Sequence, residues 1–225
     1  MNQNQKDTFS TSEGDAWYER NHVAVNQRNY GENDAVIRAI DQCISILKND
    51  ALGERLSLLE IGCGEGKRLQ WLQENKSLEC FGIEPSTKAV KAAVQRGVHA
   101  TKGTADDLPF EKQKFDFVVF GFCLYLCDRE DLFQIAHEAD RVLKKTGWLI
   151  IHDFYSNEPI ALPYHHLDGM KSFKMDYRKL WDWNPAYTCF SHKLGHHSRP
   201  NFTDDRCEWV AVSVLRKNLS KDVDK

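Results

Sequence analysis

The run Leu58-Leu59-Glu60-Ile61-Gly62-Cys63-Gly64-Glu65-Gly66 sets three glycines at alternate positions directly after an apolar stretch, and helix-forming residues resume at Lys67. Glycine inside a chain costs conformational entropy, so it is expected where the backbone needs positive φ or another group must come close. Such a turn between a buried strand and a helix is a natural ligand site, because open parallel sheets bind ligands outside the carboxyl ends of their strands. Two nucleotide-binding patterns fit it poorly. The G-x-G-x-x-G fingerprint needs its third glycine where Lys67 stands, and a G-x-x-x-x-G-K-[ST] loop needs Gly and Ser/Thr where the chain has Ile61 and Arg68.

From about residue 56 short apolar runs alternate with amphipathic stretches, the spacing of parallel strands joined by helices. Strands are predicted at 56–61, 78–83, 98–102, 115–121 and 147–153. Helices are predicted at 67–75, at 86–96 behind a Ser86 cap, and at 129–144 with a stop at Lys144, Lys145 and Gly147. Residues 14–49 predict one or two helices whose apolar face is Val36, Ile37, Ile40, Cys43, Ile44 and Leu47. After 153 prolines interrupt the chain and nine aromatic residues fall between Phe154 and Phe190. Strands at 187–194 and 207–215 follow. The expected organisation is one domain over 1–225: an N-terminal helical cap (1–50), a cofactor-binding core (55–155), and an acceptor-binding insertion with the last two strands (156–216).

The order of several motifs over about residues 55–155 resembles the class I S-adenosylmethionine-dependent methyltransferases. That resemblance implies an α/β, Rossmann-like, doubly wound seven-stranded sheet, mostly parallel with an antiparallel last strand and helices on both faces. Glu60, Gly62, Cys63, Gly64 and Gly66 match the first motif, whose backbone in the family lies against the methionine and ribose of S-adenosyl-L-methionine. Glu84, followed by Pro85, matches the acidic residue that accepts from both ribose hydroxyls. It stands 24 residues beyond Glu60, one strand–helix–strand unit. A carboxylate suits a vicinal diol because it only accepts. The segment 103–110 resembles the adenine loop and implies Ala105 and Asp106 beside the base, with Thr104 in place of the usual acidic residue. The fourth-strand motif implies that Phe120, Gly121 and Phe122 border the cofactor, and Tyr125 stands where the family often has His.

Methyl transfer is an in-line displacement, so the protein's main task is to align the acceptor and exclude water. An acceptor with a proton to lose also needs a base. His152 and Asp153, at the end of the fifth strand, are the first candidates, and only one of them can face the cleft because strand neighbours point to opposite sides. Tyr125 is a third candidate. Tyr18 and Arg20 are candidate lid residues, with Arg20 expected to pair the cofactor's carboxylate.

Thirty basic and 33 acidic residues leave a net charge of −3, so no global field favours nucleic acid or an anionic membrane. The expected partner is a small-molecule acceptor, and the chain is expected to be a monomer or homodimer. Residues 117–127 form the longest mostly apolar stretch, too short to span a bilayer, and no signal-peptide core is visible. A cytoplasmic protein with reduced thiols is the expectation, since the seven cysteines include no CxxC pair. Five of nine histidines lie at 165, 166, 192, 196 and 197, but their spacing matches no zinc motif and no metal is expected.

Overall fold

The computed structural model describes residues 4–27, 30–47, 55–199 and 201–218, and side chains within these except those of 24–27. Seven strands form one sheet in the order β3-β2-β1-β4-β5-β9-β8. These are β1 (Ser57–Ile61), β2 (Glu79–Glu84), β3 (His99–Lys102), β4 (Phe115–Gly121), β5 (Leu143–Phe154), β8 (Tyr187–His196) and β9 (Trp209–Lys217). The first five pair in parallel, whereas β9 runs antiparallel to both of its neighbours, β5 and β8. The antiparallel strand is thus last in the chain but lies inside the sheet, with β8 at the edge. Strand order reverses between β1 and β4, which opens a crevice above the ends of both.

The helices are α1 (Gln5–Thr8), α2 (Gly14–Gln27), α3 (Ala35–Leu47), α4 (Lys67–Lys76), α5 (Thr87–Gln95) and α6 (Leu132–Val142). Because the parallel strands are covered on both sides, they read as continuous apolar runs, and all five residues of β1 are buried. On one face α3 lays Val36, Ile37, Ile40, Cys43 and Ile44 onto Leu58, Phe117, Val119, Trp148 and Ile150. On the other, α6 packs Ile135, Ala136, Ala139 and Val142 against Leu59, Val118, Phe120 and Leu149. Ile37 and Ile40 are fully buried, which stabilises the fold by about 1.5–3 kcal/mol each. Asp34 starts α3 by accepting from the amides of Val36 and Ile37, both at 2.9 Å.

Three features depart from the sequence expectation. The helix expected to run to 144 ends at Val142, because fully buried Leu143 already pairs with Phe115 and begins β5. Residues 5–13 also belong to the N-terminal helix, where a π-helical segment, Phe9–Glu13, joins α1 to α2. Within the aromatic insertion, β6 (Ile160–Pro163) and β7 (Lys171–Lys174) form a small antiparallel sheet of their own.

The N-terminal helix is held across the top of the sheet from both ends. Gly14 allows close approach: a Cβ there would lie 2.6 Å from the Phe9 carbonyl and 3.2 Å from the Ser86 amide. Next to it, Asp15 accepts from the Ser86 hydroxyl (2.7 Å) and the Lys88 amide (2.9 Å) at the start of α5. At the other end, the Gln5 side chain donates to the carbonyls of Leu126 (2.9 Å) and Lys171 (3.1 Å) and accepts from the Lys171 amide at 2.7 Å. Among the described residues no helix is long and apolar enough to cross a membrane, and all seven cysteines are free thiols.

Candidate active site

Under this helix, above the ends of β1, β2, β4 and β5, lies a cavity of about 500 Å³. The three glycines of the turn all have positive φ, +76° at Gly62, +53° at Gly64 and +74° at Gly66, but they serve different ends. A Cβ on Gly62 would lie 2.7 Å from that of Cys123, and one on Gly66 would meet Ala93 at 3.0 Å, so both are closed in by protein. A Cβ on Gly64 would meet nothing within 4 Å, and this residue lines the cavity. Its bare backbone faces space meant for something other than protein.

Glu84, at the end of β2, accepts from the Gly64 amide (2.9 Å) and the Ser86 amide (3.1 Å). Burial outweighs these two bonds and pushes its carboxyl up to about 7. Glu60, 2 % exposed, accepts from Arg68, and its Oε2 is buried without a hydrogen-bond partner. Arg68 also pairs with Asp34 at 3.3 Å and lies over the Tyr30 ring at 5.4 Å. Gly121 is obligatory here, since a Cβ would run into the Glu60 carboxyl.

At the far end of the cavity Asp106 binds Lys6 of the N-terminal helix at 2.8 Å, and Lys6 reaches Asp131 at 3.1 Å. Burial would raise the Asp106 carboxyl, but the bonds from Lys6 and Thr104 prevail and hold it below the usual carboxylate range. Ala105 and Pro85 line the wall nearby, as does Cys63 beneath the turn. Tyr18 closes the roof, its hydroxyl 3.3 Å from the Glu65 carboxylate.

His152 lines the cavity and Asp153 does not, which answers the question of facing that the sequence left open. Asp153 is 2 % exposed and accepts from the amides of Leu124 (2.7 Å) and Phe154 (2.8 Å). It braces the turn after β4 instead of facing the cleft. Burial nevertheless raises its carboxyl to about 7. Tyr125 reaches the cavity and hydrogen-bonds Trp17, but burial pushes its phenol well above the ordinary value, so it stays protonated at neutral pH.

Three further expected site residues lie off the cavity wall. Phe120 is fully buried against Trp181 in the core, 5.8 Å between rings, and only Gly121 and Phe122 of that motif reach the wall. Gly66 sits at the N-terminus of α4, behind the turn. Arg20 points to Glu13 and to the Tyr164 hydroxyl (3.4 Å) and is engaged within the protein.

Sequence reasoning missed a group on the opposite wall: Lys174 of β7, His197 just after β8 and Glu208 just before β9. Lys174 is 5 % exposed, donates to the Cys207 carbonyl and lies 3.9 Å from the centre of the Phe154 ring. The histidine doublet at 196–197 was the available signal.

Residues 59–151 match the family model described as "Methyltransferase domain". Over this segment the chain is similar to a methyltransferase domain. Its sheet and flanking helices are those of a crystal structure of a SAM-dependent methyltransferase from Methanosarcina mazei (TM-score 0.59, 18 % identity, covering 77 % of this chain and 97 % of that one). They also match a Haloferax volcanii structure of a complex with the Trm112 methyltransferase activator (TM-score 0.63, 16 % identity, 95 % and 97 % covered). By sequence the chain is similar to ajmaline N-methyltransferase of Rauvolfia serpentina, 26 % identical over 132 residues, 54 % of this chain and 44 % of that protein. The chain spans about half the length, or less, of the curated relatives it matches.

Proposed function

We propose that the protein is an S-adenosylmethionine-dependent methyltransferase acting on a small-molecule acceptor, at oxygen or nitrogen. The observation that carries this reading is the bond between the Gly64 amide and Glu84. It joins the open glycine turn and a diol-accepting carboxylate into one unit at the point where strand order reverses. The residues present fit the cofactor. The Gly64 backbone is bare toward the cavity, Glu84 presents acceptor oxygens beside it, and Ala105 with Asp106 closes the end where an adenine would lie. When bound, S-adenosylmethionine supplies an electrophilic methyl group on a sulfonium. The chain's own contribution is to hold the acceptor, with Phe122, Tyr125 and His152 on the facing wall, and to keep water out beneath the N-terminal helix. A cavity of about 500 Å³ is also the size of ordinary small-molecule sites.

Calorimetry with S-adenosylmethionine and its demethylated product, alongside transfer of a labelled methyl group to a panel of small phenols and amines, tests the proposal. Heat with both compounds and label on a small acceptor is the expected result. No heat with either compound would overturn the cofactor assignment, and label appearing only on RNA or protein would overturn the acceptor class.

A further inference from the structure

Phe122 is the strained residue of the cavity wall. Its φ of +68° puts a bulky side chain on a left-handed backbone, a conformation that costs roughly 1–2 kcal/mol and persists only where the surroundings impose it. Here they do. The Phe122 amide donates to the His152 carbonyl at 2.9 Å, and its ring packs on His152 (5.1 Å), Phe154 (4.8 Å) and Tyr125 (5.4 Å). The His197 ring stacks on it at 5.2 Å with an interplanar angle of 23°. His197 is fixed from the other side by Glu208: its backbone amide donates to the Glu208 carbonyl at 2.8 Å, and its Nδ1 lies 3.5 Å from Glu208 Oε2. All of these residues line the one cavity.

A carboxylate within ion-pairing distance of Nδ1 favours one orientation of the imidazole ring. The other titratable groups sharing these two phenyl rings are His152 from β5, Lys174 from β7 and Tyr125, and Asp205 in the turn before β9 acts on Lys174 together with Glu208. Lys174 places positive charge beside the ring wall, where an oxyanion would be welcome.

We propose that His197, positioned by Glu208, is the general base of this site and that the acceptor is a ring-borne hydroxyl, a phenol or enol lying against Phe122 and Phe154. The proposal rests on the methyl-transfer reading above. As the acceptor's O–H bond breaks, its proton passes to His197 Nε2 and the electron pair stays on oxygen. That oxygen forms the bond to the methyl carbon while the carbon–sulfur bond breaks, its electron pair remaining on sulfur. The imidazolium then releases its proton to water.

The test uses 4-nitrophenol, whose phenol and phenolate absorb at different wavelengths, and needs no turnover. Wild-type protein is expected to bind the dye as phenolate at a pH where the free dye is mainly phenol. His197→Asn is expected to raise the apparent pKa of bound dye by a factor of about ten or more in proton affinity, one pKa unit. Its labelled-methyl turnover is expected to fall about 100-fold or more. Glu208→Gln tests positioning: loss of its charge makes the imidazole less basic, so the acid limb of the rate profile moves to lower pH while the plateau rate falls. A wild type that takes up no dye, or binds it as phenol, overturns the proposal, as does a His197→Asn spectrum equal to wild type. An unmoved acid limb in Glu208→Gln overturns the role of Glu208. Binding of the demethylated cofactor to the same preparations keeps the two readings apart: its absence from wild type overturns the methyl-transfer reading, and its retention in His197→Asn shows that the variant is folded.

Discussion

Gly62 and Gly64 share a left-handed backbone but not an environment, and their alanine variants should fail in different ways. Gly64→Ala carries only the backbone penalty, about 1–2 kcal/mol, and places a methyl group in the cavity. Cofactor affinity measured by calorimetry is therefore expected to fall more than tenfold while the protein remains folded. Gly62→Ala adds a collision with Cys123 at 2.7 Å to the same penalty. It should lose clearly more stability in a denaturant titration than Gly64→Ala. The reverse order would mean that Gly64 is pressed by protein after all. Glu84 makes a second prediction at this scale. Its carboxyl titrates near 7, and a carboxylate is the form that only accepts. Cofactor affinity should rise as pH is raised from 6 to 8, and below 7 binding should release a proton, read as a dependence of the calorimetric heat on buffer ionisation enthalpy. Equal affinity at pH 6 and 8 would show that Glu84 is already ionised in the free protein.

The N-terminal helix closes the cavity, and its hold on the rest of the molecule is concentrated at Gln5, Lys6 and Asp15. Gln5 is 6 % exposed and spends its whole amide on Leu126 and Lys171. Gln5→Ala leaves those backbone groups without their partner and is expected to cost about 1–3 kcal/mol. The effect should be local, with faster hydrogen exchange over residues 5–23 and little change in β1 and β4. Uniformly faster exchange would show that the helix folds as one unit with the sheet. This element also marks where sequence reading ran out. The parallel strands were legible because burial on both faces writes them as apolar runs such as Leu58–Ile61, and the glycine turn because its backbone demands are local. The hairpin of β6 and β7 was not legible, since two four-residue strands carrying Pro163 leave no periodicity to count. Which of His152 and Asp153 faces the cleft depends on the packing of the whole sheet. The meeting of His197 with Glu208 depends on β8 pairing with β9, a long-range fact that no local spacing records.

Over the whole molecule, three buried carboxyls work against the usual response of stability to pH, and burial raises Glu60 in the same direction as Glu84 and Asp153. Glu84 and Asp153 are both raised to about 7 by burial, from ordinary values near 4. Between those values the folded chain binds more protons than the unfolded one, so the stabilisation they bring is complete below about pH 4 and is lost as pH rises through 7. Each contributes on the order of 3–4 kcal/mol. His192 opposes them: burial lowers its imidazole, so stability rises with pH up to the ordinary histidine value and is unaffected by this group beyond it. Carboxyls held low by partners, Asp34 by Arg68 and Asp106 by Lys6, act at a different point, losing their contribution only as pH falls below about 4. The raised carboxyls outweigh the histidine, so cofactor-free protein should be most stable near pH 4–5 and its denaturation midpoint should decline toward pH 7.5. Glu84→Gln, whatever its absolute stability, should show a shallower decline because one of the raised groups is gone. Saturating cofactor should act in the same direction by holding Glu84 ionised, so the stabilisation it confers grows between pH 6 and 8. A midpoint that rises steadily from pH 5 to 7.5 would show that neither Glu84 nor Asp153 carries a proton in the folded state, and these two buried anions would then have to be balanced by charges other than the amides that hold them.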